Sequence, residues 1–417
     1  MSKQLCLEAV DVSMQHNYTG AICRHLGLKA SPGTVVEHKY GSEVLVRYVN
    51  RKLSGNNLHG LTSFVTMEGI MVLGTRILPV RDVVITYESG QENLVLDLVK
   101  KLFTHHDYLV VEINLKKRIS YLQGTYVPQV AKMQSVIRAL KQYLPWQIYS
   151  VNESWRALAL HPEEKLLIRQ LRVKIRRLRS CLIFFKKLLP ERQVYTWQQV
   201  WRNEANALAA LREVDVALMT CEKIRCENSS AELPTQTRLQ EEFLQLRSKA
   251  VVNYFRTRTL NDFTLKVVRF FLWLQSSMEL LDPKQKAGSY VEERVQVWAA
   301  NLQDLAAKYP DFQNMDDLHK IRIKVKRFRY VIQTINMIGL ESKLLRKLKR
   351  LQDMLGFLHD DYINTTWADK VAKLHKKDLA LKADLVAFSS WNRGKTESIL
   401  MVLPDLWAEF LQELKEI

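Results

Sequence analysis

The stretch RQLRVKIRRLRS, residues 169–180, returns 150 residues later as HKIRIKVKRFRY, residues 319–330. Basic residues of the first copy stand opposite basic residues of the second, and apolar residues stand opposite apolar ones, at nearly every position. A pattern that recurs in register over this distance indicates an internal duplication of one structural unit. We therefore predict two related halves in this part of the chain, each carrying one copy of the basic stretch.

Both copies show the spacing of an amphipathic helix. At about 100° per residue, four basic residues of each copy form one narrow stripe, separate from an apolar face that packs into a core and from a third face that holds the other cations. The stripes consist of Arg169, Arg172, Arg176 and Arg179 in the first copy and of His319, Arg322, Lys326 and Arg329 in the second. Neither stretch contains an Asp or Glu, and like charges three or four residues apart repel each other. Such stripes predict binding to a polyanion, because phosphate oxygens would relieve the repulsion.

The composition supports a polyanion partner. The chain of 417 residues has a formal net charge of +18 and a pI of about 9.6, so nucleic acid, an anionic membrane and other polyanions are candidate partners. The amino-terminal residues lack the pattern of a signal peptide, and no apolar run reaches the 18 or so residues of a membrane span. The five cysteines have no zinc-site spacing. We expect a cytoplasmic protein with reduced thiols and no membrane partner.

Two regions are predicted from the residue patterns. Residues 1–150 read as a smaller mixed α/β domain, with strands at 34–40, 42–49, 82–88 and 108–115 and helices at 92–103 and 130–144, the latter ending before Pro145. Residues 156–417 read as an all-α domain with repeats at about 163–281 and 290–417. Its predicted helices are 163–189, 193–226, 237–257, 261–281, 290–308, 316–338 and 341–358, with a tail from 361 broken near Asn392 and Pro404. The fold class is therefore α+β overall.

Four segments resemble the CHAD family, the conserved histidine α-helical domain. LHKIRIKVKRFRYVIQ (318–333) is similar to the hallmark helix with its histidine at His319, and IRQLRVKIRRLRS (168–180) is similar except that Arg169 replaces the histidine. LKRLQDMLGFLHDD (348–361) and LAALREVDVAL (208–218) are similar to the family's acidic segments, with Glu213 where Asp is usual. The resemblance implies two four-helix halves around a basic pore or groove that binds inorganic polyphosphate, as a non-enzymatic protein of the bacterial cytoplasm or its polyphosphate granules.

The resemblance also implies the site residues. Polyphosphate-binding residues carried over by motif match, with three additions at the end, are Arg169, Arg172, Arg176, Arg179, His319, Arg322, Lys326, Arg329, Arg346, Lys349 and Lys174. Because a guanidinium is no metal ligand, Arg169 argues against a symmetric two-histidine metal site, and we expect neither metal nor cofactor. His359, which lies beside Asp360 and Asp361, is expected to have an ordinary capping or surface role.

Two other functions remain open at the level of sequence. The first is binding of single-stranded nucleic acid, although the stripes hold no aromatic residue for base stacking and only Tyr330 adjoins one. The second is hydrolysis of polyphosphate or triphosphate by the amino-terminal region, because a CYTH domain, a triphosphate tunnel metalloenzyme, often precedes a CHAD domain. The Glu-x-Glu-x-Lys strand of that enzyme has no counterpart near residues 1–15, and EINLK (112–116) has Asn114 at the second carboxylate position. The amino-terminal region therefore has no assigned function at this level.

Overall fold

The computed structural model describes residues 2–10, 17–41, 43–126, 128, 130–227, 237–280, 284–308, 315–335 and 342–415. The chain divides into two compact units that alternate along the sequence. The first unit comprises Met1–Pro128, Pro145–Ala159 and Arg258–Leu281, and the second comprises Gln129–Leu144, Leu160–Thr257 and Asp282–Ile417. Two segments from the middle of the chain therefore belong to the same unit as the amino-terminal residues.

The first unit is built on an antiparallel sheet. Its strands are β1 (Lys3–Ala9), β2 (Lys29–Ala30), β3 (Thr34–Tyr40), β4 (Val44–Ser54), β5 (Ser63–Leu73), β6 (Arg76–Tyr87) and β7 (Tyr108–Val110). Their order across the sheet is β2-β4-β5-β6-β1-β7, with β3 also paired to β4. The predicted strand at 34–40 is confirmed. β4 and β6 are longer than predicted, and β7 ends at Val110 because the next residues lead into a helix.

Helices account for most of the remaining described residues. They are α1 (Tyr18–Leu26), α2 (Glu92–Phe103), α3 (Leu115–Leu122), α4 (Val136–Leu160), α5 (Lys165–Phe184), α6 (Glu191–Ala207), α7 (Ala209–Glu227), α8 (Arg238–Arg256), α9 (Leu260–Ser277), α10 (Ala287–Lys308), α11 (Met315–Thr334), α12 (Ser342–Leu374) and α13 (Leu379–Leu414). The α+β fold class is confirmed, with an amino-terminal sheet and a carboxy-terminal helical region. Within the described residues, no helix is both long and apolar enough to cross a membrane.

Several predicted helix boundaries are wrong. The prediction of a helix end before Pro145 fails because α4 continues through this proline to Leu160. The predicted helix at 193–226 is two helices, which meet at Leu208. The breaks expected near Asn392 and Pro404 are absent, since α13 runs through both residues. α4 and α13 therefore continue through residues that were expected to end them, whereas α6 and α7 are separated at a leucine.

In the second unit, corresponding helices of the two repeats pack on each other. The basic helices α5 and α11 are in contact, and so are the pairs α7 with α12 and α8 with α13. The apolar faces predicted for the basic helices are buried, namely Leu171, Ile175 and Leu178 together with Ile321, Val325 and Phe328. A second apolar cluster joins α7, α8, α12 and α13 through buried residues such as Phe243 and Phe388. Burial of these faces fixes the rotation of α5 and α11, and thus the direction of their cations.

Candidate anion-binding site

A cavity of about 300 Å³ lies between α5, α7, α11 and α12. The four helices are held in place by contacts of α5 with α7 and α11, of α12 with α11, and of α7 with α12. Among the described residues, the charged side chains that line it are Arg169, Arg172, Arg176, Arg212, Lys223, Arg322, Lys326, Glu213, Asp353 and Asp360. Seven cations therefore face three carboxylates in one small space.

Five of the residues predicted as site residues line this cavity. Arg169, Arg172 and Arg176 come from α5, and Arg322 and Lys326 come from α11. They belong to the two stripes, which lie on different helices and meet because α5 packs against α11. The two stripes also interact electrostatically, because the positive charge of Arg176 lowers the pKa of both Arg322 and Lys326.

The other predicted site residues lie outside the lining of this cavity. The Nε of Arg179 donates to Oε1 of Gln198 at 3.3 Å. Burial, and then the charges of Arg327 and Arg202, lower the pKa of Arg179 to about 10. Lys174 lies beside Arg177. Arg346 and Lys349 line a separate open cavity of about 380 Å³ with Arg350, Asp353, Met354 and Ile399. His319 and Arg329 lie on α11, where Arg329 has a buried Nε without a hydrogen-bond partner among the described residues.

Arg212, Lys223 and His359 line the cavity and were not among the predicted site residues. Arg212 and Lys223 lie on α7, and His359 lies on α12. The expected surface role of His359 is wrong, because its side chain is largely buried in the wall of the cavity. Arg212 and His359 belong to the acidic segments at 208–218 and 348–361, so these motifs contain a signal for both residues beside their carboxylates.

Crowding of cations lowers the pKa of several groups in the cavity. Burial, and then Arg176 and Arg212, lower the pKa of Arg172 to about 9, and Glu213 opposes this shift. Burial and Arg176 lower the pKa of Arg322 to about 10, and Asp360 opposes the shift. Burial, Arg322 and Arg176 lower the pKa of Lys326 well below its usual value. The shifts share one cause, since a positive charge is disfavoured where it is desolvated beside other positive charges.

The hydrogen bonds of the cavity leave donors available. Nη1 of Arg172 donates to the carbonyl oxygen of Ala205 on α6, at 2.5 Å, which fixes the guanidinium at the wall. Arg322 is only 7% exposed, and its Nε has no hydrogen-bond partner among the described residues. Among the described residues, no carboxylate oxygen lies within 4 Å of a charged nitrogen of the seven lining cations, so none of these cations forms an ion pair there. A buried guanidinium nitrogen without a hydrogen-bond partner is costly, because it has lost its contacts with water and gained none in return.

Two of the three carboxylates offset part of this excess of positive charge. Asp360 stabilises the charged forms of Arg212, Arg322 and Lys326, and Glu213 stabilises that of Arg172. Glu213 is itself held by Trp367 of α12, whose Nε1 donates to Oε2 at 3.3 Å. These two carboxylates thus favour the charged forms of the cations without forming an ion pair with them among the described residues.

Two histidine rings adjoin the cations. The rings of His319 and His359 are 5.2 Å apart between centroids. Burial, and then the charges of Arg322 and its neighbours, lower the pKa of both histidines, that of His359 to about 3. Neutral imidazoles in this position can donate hydrogen bonds to an anion. Among the described residues, no group of three or more His, Cys, Asp or Glu side chains is arranged to hold a metal ion.

Fold and cavity together define a duplicated helical domain with a cationic interior. The chain belongs to the CHAD domain family, whose model matches residues 151–369. The match includes both basic helices and most of α12.

Two solved structures share the fold. A crystal structure of the CHAD domain from the plant Ricinus communis matches with a TM-score of 0.54 and 18% sequence identity, covering 70% of this chain and 96% of that chain. PptA from Streptomyces chartreusis matches with a TM-score of 0.50 and 16% identity, covering 66% of this chain and 99% of that one. No curated protein matches the sequence.

Proposed function

We propose that the protein binds inorganic polyphosphate in the cavity between α5 and α11. The observation that carries the proposal is the convergence of two duplicated cationic stripes on one buried space, where the cations have no ion-pair partner among the described residues. Polyphosphate has about one negative charge per unit and neither base nor sugar. Dense, fixed cations are therefore sufficient to recognise it, and arginine is well suited because its planar guanidinium can contact two phosphate oxygens.

Binding of an anion would offset the electrostatic repulsion among the cations of the cavity. A phosphate beside Arg172, Arg322 and Lys326 would replace repulsion by attraction and would raise the pKa of each group toward its usual value. Release of counterions from the polyanion adds a favourable term that weakens as salt increases. We therefore expect affinity to fall steeply with ionic strength.

The same features favour binding over turnover. Two carboxylates of the lining, Glu213 and Asp360, stabilise the charged forms of the neighbouring cations, which is a binding role rather than a catalytic one. We propose a binding protein of the cytoplasm that associates with polyphosphate granules. Phosphate release by the full-length protein in the presence of Mg²⁺ or Mn²⁺ would contradict the absence of turnover.

Calorimetry with long-chain polyphosphate tests the binding proposal. Arg172→Ala combined with Arg322→Ala removes one cation from each stripe. A hydrogen bond to a charged group contributes about 1.5–3 kcal/mol, so the double variant should weaken binding by about a hundredfold or more. The matched control removes two exposed cations of α11, through Lys320→Ala and Lys324→Ala, and should retain nearly full affinity.

Unchanged affinity in the double variant of the cavity would rule out this site.

A competition experiment at physiological salt separates polyphosphate from nucleic acid. Single-stranded RNA of equal total charge should displace polyphosphate poorly, because its bases have few aromatic partners here. Efficient displacement by RNA would favour a nucleic-acid-binding function instead.

A further inference from the structure

A second cavity lies on the sheet of the first unit. On one face of the sheet, Leu115 and Ile119 of α3 pack against buried residues that include Cys6 and Val84. Beside the area that α3 covers, the described residues line a cavity of about 570 Å³ that is open to solvent. Its volume lies within the range of about 300–1,000 Å³ that is usual for small-molecule sites.

Three neighbouring strands supply a row of uncharged hydrogen-bonding groups to this cavity. Thr86 of β6 is paired with Gln4 of β1 on one side and with Ser63 of β5 on the other. Adjacent strands are about 4.8 Å apart, so the row crosses roughly 10 Å. No hydrogen-bond partner is found for these three side chains in the part of the chain that the structure describes. The row can therefore bind the polar groups of a ligand.

Aromatic side chains form another wall. The ring of His38 on β3 lies 6.0 Å from that of Tyr40 and 6.2 Å from that of Tyr48 on β4, measured between centroids. All three side chains line the cavity. Aromatic rings favour contact with another flat ring in offset or edge-on geometry. Val65, Met67 and Val84 add apolar surface between this wall and the polar row.

The charge of this cavity differs from that of the cationic site. Among its described lining residues, the one Lys or Arg is Lys116, whose side chain is exposed. These residues include no carboxylate. A polyphosphate would find one cation here rather than seven. A divalent metal would find no carboxylate ligand among these residues. The lining instead suits a molecule without net charge.

We infer that this cavity on the sheet binds an uncharged ring compound bearing hydroxyl or amide groups, the chemical class that nucleosides represent. The flat ring lies against His38, Tyr40 and Tyr48, and the polar groups bond to Gln4, Thr86 and Ser63. This site lies within the first unit and does not depend on polyphosphate binding.

Titration of the full-length protein with adenosine and with uridine, followed by saturation-transfer NMR and calorimetry, tests the inference. Thr86→Val keeps the shape of the side chain and removes its hydroxyl, so it should weaken binding about three- to tenfold. His38→Ala removes an exposed ring from the aromatic wall and should weaken binding by a similar factor. Ser63→Phe fills the cavity and should abolish binding. Thr62→Val changes an exposed neighbour outside the lining and serves as the control.

Binding of at least one nucleoside, lost in Ser63→Phe and weakened in Thr86→Val and His38→Ala, would support the site. Failure of both nucleosides to bind at millimolar concentration would overturn it. So would binding that is unaffected by His38→Ala and Ser63→Phe, with circular dichroism showing that both variants are folded. Polyphosphate affinity should be unchanged in all of these variants, so failure of this inference would be distinguishable from failure of the polyphosphate proposal.

Discussion

Arg322 shows most directly the cost in stability of the cationic cavity. Its side chain is 7% exposed, its Nε lacks a partner among the described residues, and burial and Arg176 lower its pKa. Burying such a charge costs free energy in the unliganded protein. We therefore propose that Arg322 contributes to anion binding and not to the stability of the fold.

Replacing Arg322 by methionine should stabilise the unliganded protein while weakening polyphosphate binding. The methionine keeps an aliphatic side chain of similar length and removes the buried charge, so we expect the free energy of unfolding to rise by about 1 kcal/mol. Chemical denaturation of the wild type and of Arg322→Met measures this change. Lys324→Met on the exposed side of α11 is the control and should have little effect. A loss of several kcal/mol in Arg322→Met would show that the arginine is structural.

His359 gives a prediction about pH. Its pKa is about 3 in the folded protein, because of burial and then the charges of Arg322, His319, Lys326 and Arg176. The usual value, near 6.5, applies to the unfolded chain. Between these two values the unfolded state binds the proton and the folded state does not. Stability therefore falls as pH falls through this window, by up to about 1.4 kcal/mol for each pH unit.

His359→Gln should remove this contribution. Between pH 6.5 and pH 4 the free energy of unfolding should decrease less steeply in the variant than in the wild type. Denaturant titrations at several pH values measure the two slopes. His161→Gln, at an exposed histidine, should retain the slope of the wild type. Equal slopes in wild type and His359→Gln would contradict the environment described for this ring.

The origin of each site residue explains which ones could be predicted. The stripe cations Arg172, Arg176, Arg322 and Lys326 follow from helix periodicity alone, since their direction is set by the apolar face of the same helix. Arg212 could not be placed in this way, because its position in the cavity depends on how α7 packs against α5. Periodicity also could not show where along the stripe the cavity ends, and Arg179 illustrates this because it bonds to Gln198 instead.

At the scale of elements, the breaks predicted inside α4 and α13 show how burial overrides local preference. Pro145 removes a helical hydrogen bond, yet α4 continues and buries side chains on both sides of it, among them Leu144 and Ile148. Asn392 is buried in α13, where its Nδ2 donates to the carbonyl of Phe388 and its Oδ1 accepts from Asn364 of α12. Its polar group is satisfied within the bundle, so it has no tendency to end the helix. Neither effect is visible without the neighbouring elements.

Two glycines within helices provide a matched pair for a prediction at this scale. Gly356 of α12 lines the cationic cavity, whereas Gly394 of α13 is exposed outside it. An added Cβ would meet no atom within 4 Å at either position. Alanine is favoured over glycine in a helix by about 0.5–1 kcal/mol, so both Gly356→Ala and Gly394→Ala should raise the free energy of unfolding by this amount.

Only Gly356→Ala should weaken polyphosphate binding, because its methyl group would enter the cavity. Denaturation and calorimetry on the two variants measure stability and affinity separately. Equal affinity in Gly356→Ala and Gly394→Ala would indicate that the ligand does not approach α12 at this position.

At the scale of the whole molecule, the alternation of the two units along the chain was not visible in the residue patterns. Residues 129–144 belong to the second unit and join it through backbone hydrogen bonds. The amide of Val136 donates to the carbonyl of Gln285 at 2.8 Å, and the amide of Ala287 donates to the carbonyl of Gln134 at 2.7 Å. Such pairings across 150 residues depend on the assembled fold. The duplicated stripes, in contrast, could be recognised because both copies keep the same spacing.

A fragment of residues 160–417 should therefore be less stable than one of residues 129–417. The shorter fragment lacks the buried side chains Val136, Leu140, Tyr143 and Leu144. Each contributes about 1.5–3 kcal/mol when buried, so the loss should amount to several kcal/mol. Thermal and denaturant unfolding of the two fragments measure the difference. Equal stability would show that residues 129–159, which include the segment 129–144, are dispensable for the second unit.

The central proposal is that the two duplicated stripes, on α5 and α11, bind the same polyphosphate chain. A crystal structure of the full-length protein with bound polyphosphate tests it most directly. We predict phosphate oxygens within about 3 Å of guanidinium or ammonium groups from both helices, Arg172 and Arg176 of α5 and Arg322 and Lys326 of α11, inside one continuous cavity. Phosphates found only at Arg346 and Lys349, or on one stripe without the other, would contradict the account.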